Sequence, residues 1–287
     1  MVEVIREDDV LFNKNYYNLL KEEGISSFDS IMDYSRGKLI KKSKDVSVHY
    51  LRFPENSFYL KRYRNSFKSS IEPLLKLKHI DRDGVREWDN ICRVRSIGIN
   101  TVTPVAAGRK RDGLLRLRSF LLTEELYDVR KLDEYFRENF IPPYGREKIR
   151  LKRAIIYGVA AIVRKLHENR LSHQDLYLGH FYIAFNKDST FKLYLIDLQR
   201  IREASNEVNL RRHRIKDLSQ LLFASHYEVF VSNPDRIRFY KTYVSGRHLT
   251  ETDLKLFKAI HRRAGRIAEH TKKHGYPLPA ISWQPQL

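Results

Sequence analysis

The chain has 287 residues, 42% of them hydrophobic and 12% aromatic, which suits one large domain or two small ones with a buried core and excludes a disordered tail. Lys and Arg number 54 against 35 Asp and Glu, a formal charge of +19 that calls for an anionic partner: nucleic acid, an acidic membrane surface, a phosphorylated substrate or an acidic protein. The single Cys92 excludes a disulfide framework and a cysteine-based zinc site, no run of about 18 apolar residues is present to span a bilayer, and the opening MVEVIREDDV is too acidic for a secretory signal, so a cytoplasmic location is expected.

Within the first 30 residues, FNKNYYNLLKEEG (12–24) reads as a short helix that packs against a lobe or a partner. Residues 28–126 read mainly as strands. GKLIKK (37–42), VSVHYLRF (46–53) and SFYLKRY (57–63) are three short runs joined by turn-like SKD and PEN. A helix is predicted around 83–97, followed by TVTPVAAGR (101–109), a turn at KRDG and LLRLRSFLLTEEL (114–126).

From Asp128 onward helices dominate. In 147–168, Ile155, Ile156, Val159, Ile162, Val163 and Leu166 recur at steps of three and four, which places one apolar stripe on a helix. Two strands, HFYIAF (180–185) and FKLYLIDL (191–198), are separated by the turn NKDST. Helices resume at 215–224 and again from about 251 to 273, where Thr250 and Asp253 make a variant of the capping box. Phe257, Ile260, Ala264 and Ile267 form the apolar face of the last helix. The expected class is therefore α+β, with a strand-rich lobe over 1–126, a hinge near 124–128 and a larger helical lobe over 127–287.

The most informative stretch is 166–200, LHENRLSHQDLYLGHFYIAFNKDSTFKLYLIDLQR. Asp175 lies in a loop after a long helix, His180 where the chain enters a strand, and Asp197 near the end of the second strand. An antiparallel hairpin returns its second strand beside the origin of its first, so both carboxylates can face one site. Two aspartates at one site serve phosphoryl transfer: one orients or deprotonates the attacking hydroxyl, and the other anchors Mg²⁺ on the triphosphate. The plainer alternative is that each carboxylate only bonds loop amides.

Leu166-His167 followed by His173-Gln174-Asp175 resembles the protein-kinase helix that ends in Leu-His and leads to His-Arg-Asp, and Asp197 in LIDLQR is similar to the aspartate of Asp-Phe-Gly. Lys61 in FYLKRY stands where a kinase keeps the lysine for the α- and β-phosphates of ATP. Glu87 is placed to pair with it, with Glu72 as the other acidic candidate. TEEL (123–126), with Glu124 and Leu126, falls where the hinge binds adenine through backbone groups. The motif HxDxYxxH (173–180), the IDL-x-R after it and IKDLSQLLFA (215–224) resemble the lipopolysaccharide core heptose kinase family (lipopolysaccharide kinase, Kdo/WaaP type), which takes in heptose kinases and related Kdo kinases.

That resemblance covers roughly Gly37 to Ala224 and implies a bilobal protein-kinase-like fold that phosphorylates an inner-core sugar from ATP with Mg²⁺. It makes Asp175 the catalytic base, Asp197 the metal ligand, and Lys61 and Glu87 the phosphate contact and its ion-pair partner. Asp217 and His173 would support the catalytic loop. His180 stands where protein kinases carry a metal-binding Asn; imidazole suits Mg²⁺ less well than an amide oxygen, so a phosphate contact is the alternative. The phosphate-covering loop is degenerate, since KKSKDVS (41–47) has no glycine.

Only 20 positions separate Asp197 from Asp217 and no Ala-Pro-Glu follows, so the long segment on which a protein kinase lays a peptide is missing. The acceptor expected is the lipid A-core of lipopolysaccharide, phosphorylated on heptose or on Kdo. Arg200, Arg211 and Arg214, in a cluster with Arg202, Arg212 and Lys216, would bind its anionic groups. The run 261–275 could rest on anionic lipid head groups at the inner face of the inner membrane, where the protein is expected, or simply be the outer side of a packed helix. A catalytically silent kinase fold that binds anionic lipid or an acidic protein is the competing reading. Nucleic acid is not expected, because only the charge favours it.

Overall fold

The computed structural model describes residues 2–65, 83–112, 116–227, 230–245 and 248–274. The chain divides into two units, Met1–Tyr127 with Asp197–Arg200, and Asp128–Ile196 with Ile201–Leu287. Asp197 thus belongs with the strand-rich unit, although it directly follows a hairpin of the helical one.

The first unit contains β1 (Val4–Glu7), β2 (Val10–Asn13), α1 (Lys14–Glu22), α2 (Phe28–Asp33), β3 (Lys38–Lys42), β4 (Val46–Arg52), β5 (Ser57–Asn65), α3 (Gly84–Ser96), β6 (Pro104–Asp112) and β7 (Arg116–Glu124). The strands form one antiparallel sheet in the order β1-β2-β6-β7-β5-β4-β3. Alternation along β5 sorts its side chains. Phe58 and Leu60 enter a core with Phe12, Leu20, Ile31, Met32, Leu51 and Phe120, while Lys61 and Tyr63 reach Glu87 of α3 on the opposite face. The predicted helix over 12–24 is α1, and with α2 it covers the sheet face turned away from α3. Arg62 fixes α2 from below by donating to the carbonyls of Ile31 and Tyr34 at its end.

The second unit contains β8 (Val129–Lys131), α4 (Leu132–Asn139), α5 (Arg146–Glu168), β9 (Leu171–Ser172), β10 (Phe181–Phe185), β11 (Phe191–Leu195), β12 (Arg202–Glu203), α6 (Glu207–Tyr227), α7 (Asn233–Tyr243) and α8 (Glu251–Lys273). β11, β10 and β8 make a small sheet, and β12 pairs with β9. The apolar stripe read from 147–168 is the inner side of α5, with Ile155, Val159, Val163 and Leu166 buried. The Thr250 capping box opens α8 as expected, both hydrogen bonds present.

Several sequence readings need correction. Lys110–Asp112 of KRDG belong to β6, because the β6–β7 hairpin continues past the core and its outer half needs no apolar side chains. Residues 28–33, inside the stretch read as strand, are a helix capped by Ser27. α6 begins at Glu207 and not near Ile215; its first two turns are mostly polar, bury only Leu210 among their apolar residues and carry no stripe to read. His180 closes a short 3₁₀ turn and precedes β10, and β11 ends at Leu195. Glu72, the other proposed partner for Lys61, lies outside the described residues, as do the end of KRDG and the last residue of 261–275. Among the described residues, no helix is long and apolar enough to cross a membrane.

Candidate active site

In the first unit, Lys61 Nζ donates to Glu87 Oε1 at 2.8 Å and lies 3.6 Å from Asp197 Oδ1. The other oxygen of Glu87 accepts from the Tyr63 hydroxyl at 2.6 Å, which fixes the carboxylate from both sides. The Lys61 side chain is 27% exposed and that of Asp197 32%, so both reach solvent, whereas Glu87 is buried. Burial works against the lysine's charge, but the carboxylates of Glu87 and Asp197 outweigh it and hold its pKa above the ordinary lysine value. One helix positions both acidic partners: α3 carries Glu87, and its Asn90 Nδ2 donates to Leu198 O at 2.8 Å, next to Asp197. Asp197 itself is left-handed at φ 59°, a conformation that aspartate tolerates better than most residues and that recurs at functional sites.

The run 123–126 is tied down in the same unit. The amide of Glu124 donates to Thr103 O (2.9 Å) and that of Glu125 to Ser57 O (2.8 Å), so neither amide is left for a base. The Glu124 carboxylate accepts from Asn56 Nδ2 at 3.5 Å and bonds Tyr16 of α1; Leu126 follows, half-buried. Glu125 accepts from the hydroxyls of Tyr50 (2.9 Å) and Tyr59 (3.3 Å). Sequence reading missed these tyrosines, whose partner is 75 and 66 positions away.

In the second unit, Asp217 is fully buried and accepts three hydrogen bonds: from His173 N (2.7 Å), Gln174 N (2.8 Å) and His167 Nε2 (3.2 Å). It thereby fixes the backbone directly ahead of Asp175. Gln174 is left-handed at φ 66°, and its side chain is held by Ser172 Oγ (2.5 Å) and Lys216 Nζ (3.0 Å), another pairing without a local signal. His180 Nδ1 donates to Asp175 O at 2.6 Å, and His173 Nε2 donates to Ile196 O at 2.9 Å. Because Ile196 N returns a bond to His180 O at 3.0 Å, the hairpin closes one residue short of Asp197.

Asp197 fits a hard cation, as its carboxylate supplies oxygen and reaches solvent. His180 fits it less well: one nitrogen is committed to Asp175 O, and the other is a softer ligand than Mg²⁺ prefers. Among the described residues, no three His, Cys, Asp or Glu gather as a metal cage. Of the arginines, exposed Arg200 lies in the first unit's short segment. Arg211 and Arg214 stand one turn apart on α6, and Asp217 is the next step along the same stripe. The second unit also has a partly open cavity of about 410 Å³ with apolar walls from Phe136, Ile156, Leu178, Leu221, Tyr240 and Ile260.

The solved structure of WaaP in complex with acyl carrier protein matches 92% of this chain and 99% of its own, with a TM-score of 0.70 and 24% identity, and shares its protein-kinase-like α+β fold. The chain is 31% identical over 198 residues to the lipopolysaccharide core heptose(I) kinase WaaP of Pseudomonas aeruginosa, covering 66% of this chain and 70% of that protein. It is 31% identical over 225 residues to the enzyme of the same name from Escherichia coli K12, covering 76% and 83%. The family profile matches residues 54–243, from the strand of Lys61 through the aspartates of both units to the end of α7, and with it the chain belongs to the lipopolysaccharide kinase (Kdo/WaaP) family.

Proposed function

We propose that the chain transfers phosphate from ATP to a hydroxyl of a heptose in the lipopolysaccharide inner core. The observation that carries this reading is Lys61 held at 2.8 Å by Glu87 and 3.6 Å by Asp197, a cation and a carboxylate kept ready for a triphosphate and its metal. Lys61 would neutralise phosphate oxygens, and Asp197 would hold Mg²⁺, which when bound offsets the charge that develops on the transferring group. Asp175, its backbone fixed through Asp217 and His180, would accept the proton of the acceptor hydroxyl. Arg200, Arg211 and Arg214 would bind acidic groups of the acceptor, in keeping with the +19 charge and with action at the anionic inner face of the inner membrane. Heptose is favoured over Kdo because the relatives at 31% identity carry the heptose(I) kinase name.

The test is transfer of labelled phosphate from ATP to dephosphorylated core lipopolysaccharide, followed by analysis of the modified sugar. Label should appear on heptose with the native chain and vanish in Asp175→Ala and Asp197→Asn, both still folded. Label on Kdo would reassign the acceptor. No Mg²⁺-dependent transfer would favour the silent, anion-binding reading.

A second reading concerns a partner. The related structure is a complex with acyl carrier protein. A surplus of positive charge suits an acidic protein of that kind, and the 410 Å³ apolar cavity suits the chain that it carries. Purified carrier with a long acyl group should bind and raise the melting temperature, whereas the unacylated carrier should do so weakly. Equal binding of both forms would remove the cavity from this reading.

A further inference from the structure

Tyr59 and Tyr50 face each other across the β4–β5 pair, with ring centroids 5.4 Å apart and planes at 57°. Tyr59 lies two residues before Lys61, on the same sheet face and about 7 Å along the strand. Both hydroxyls end on the Glu125 carboxylate, and the Tyr50 hydroxyl also hydrogen-bonds with Ser57 Oγ at 3.0 Å. Glu125 is fastened in turn through its amide to Ser57 O. The rings are therefore held by their polar ends, and both are only partly buried. Between the phosphate-binding lysine and the run 123–126, this face presents two fixed aromatic planes where a flat base would otherwise meet aliphatic side chains. The amides of Glu124 and Glu125 are already spent inside the fold, which withdraws two donors that could read the edge of a base.

Building on the kinase reading, we propose that Tyr59 and Tyr50, locked by Glu125, form the wall on which the nucleotide's base stacks, so that the base is held by its face and purines are discriminated poorly. Stacking on an aromatic ring tolerates any base, because every base has a π-face, whereas edge recognition does not. Glu125 is a positioning residue: it orients rings that touch the base and need not touch the base itself.

Calorimetric titration of the full chain with MgATP, MgGTP and inorganic triphosphate tests this assignment. Tyr59→Ala should weaken ATP and GTP alike, by about tenfold to a hundredfold, and leave inorganic triphosphate unchanged. Tyr59→Phe, which keeps the ring, should bind both nucleotides within about threefold of the native chain. Glu125→Gln, which keeps the shape but weakens the anchor, should fall between the two. Lys61→Ala is the reference and should weaken all three ligands. If Lys61→Ala lowers affinity while Tyr59→Ala does not, the wall is wrong and the kinase reading stands. A loss confined to one purine would equally overturn it. If the native chain binds neither nucleotide, the kinase reading fails and the wall fails with it.

Discussion

The rings of His173 and His180 stack with centroids 5.3 Å apart and planes at 25°. Each spends an N–H on a carbonyl of the segment it serves: His173 on Ile196, next to Asp197, and His180 on Asp175 itself. The pair is a clasp between the loop that carries Asp175 and the strand end that leads to Asp197. It gives His180 a purpose that does not require the imidazole to be a metal ligand.

This clasp predicts a graded result at position 180. His180→Ala loses both the stack and the bond to Asp175 O, and kcat should fall at least tenfold with little change in melting temperature. His180→Asn restores an N–H donor and should recover part of that loss. An alanine variant with native kcat would show that Asp175 is positioned without the ring.

Asp217 should matter more for stability than for binding. Its two oxygens satisfy three donors without access to water, and Asn offers one oxygen and turns an NH₂ toward the remaining N–H groups. Asp217→Asn should therefore cost about 3 kcal/mol, the scale of a broken buried charged network, read from urea unfolding. Nucleotide affinity in the surviving folded fraction should be nearly native, because Lys61 and Glu87 lie in the other unit. A cost below about 1 kcal/mol would mean that the loop is held by other contacts.

How far the sequence discloses this arrangement depends on the range of the contacts. The β10–β11 hairpin, the α5 stripe and the Thr250 cap are local patterns, readable because period, turn and cap fall within a few residues. Asp175 and Asp197 stand out from the hairpin between them, whereas Lys61, Glu87 and Asp217 emerge only from the order of motifs along a kinase-like chain. Distances of 2.8 Å to Glu87 and 3.6 Å to Asp197 are not implied by spacing. The β1–β2 hairpin escapes notice because β1 is largely exposed and lacks the alternation that marks a half-buried strand. α7 did leave a signal that went unread: Ser232 and Asp235 form a capping box with Pro234 in the first turn. The tyrosines around Glu125 left none, since no local period links β4 and β5 to the run after β7.

Gly84 predicts a defect transmitted along a helix. A Cβ at this position would lie 2.0 Å from Phe120 O and 2.2 Å from Phe120 C, backbone atoms of β7 that a rotamer change cannot move. Gly84 begins α3, which carries both Glu87 and Asn90. Gly84→Ala must push the start of α3 away from the sheet, costing about 2 kcal/mol or more. It should also raise the nucleotide KM by loosening Glu87 from Lys61, and the match of KM to melting temperature across both effects is the measurement. Native KM in a destabilised protein would show that α3 pivots without moving Glu87.

The helical unit should lose stability in mild acid through His226. This ring borders the apolar cavity, and burial, helped by the charges of Arg236 and His261, pushes its pKa down to about 4. Burial also lowers His261 on the facing helix. The sign follows from proton binding. Between about pH 6.5 and 4 the unfolded chain takes up a proton at position 226 that the folded chain refuses, so the stability present above pH 6.5 drains away as pH falls. Allowing for the partial exposure of the ring, the loss from this residue between pH 7 and 5 is on the order of 1–2 kcal/mol. His226→Leu keeps an apolar wall and has no proton to gain. Urea unfolding at pH 7 and pH 5 should therefore show the variant gaining on the native chain by about that amount as pH drops. Parallel pH dependence in the two proteins would show that this histidine is solvated well enough to titrate normally.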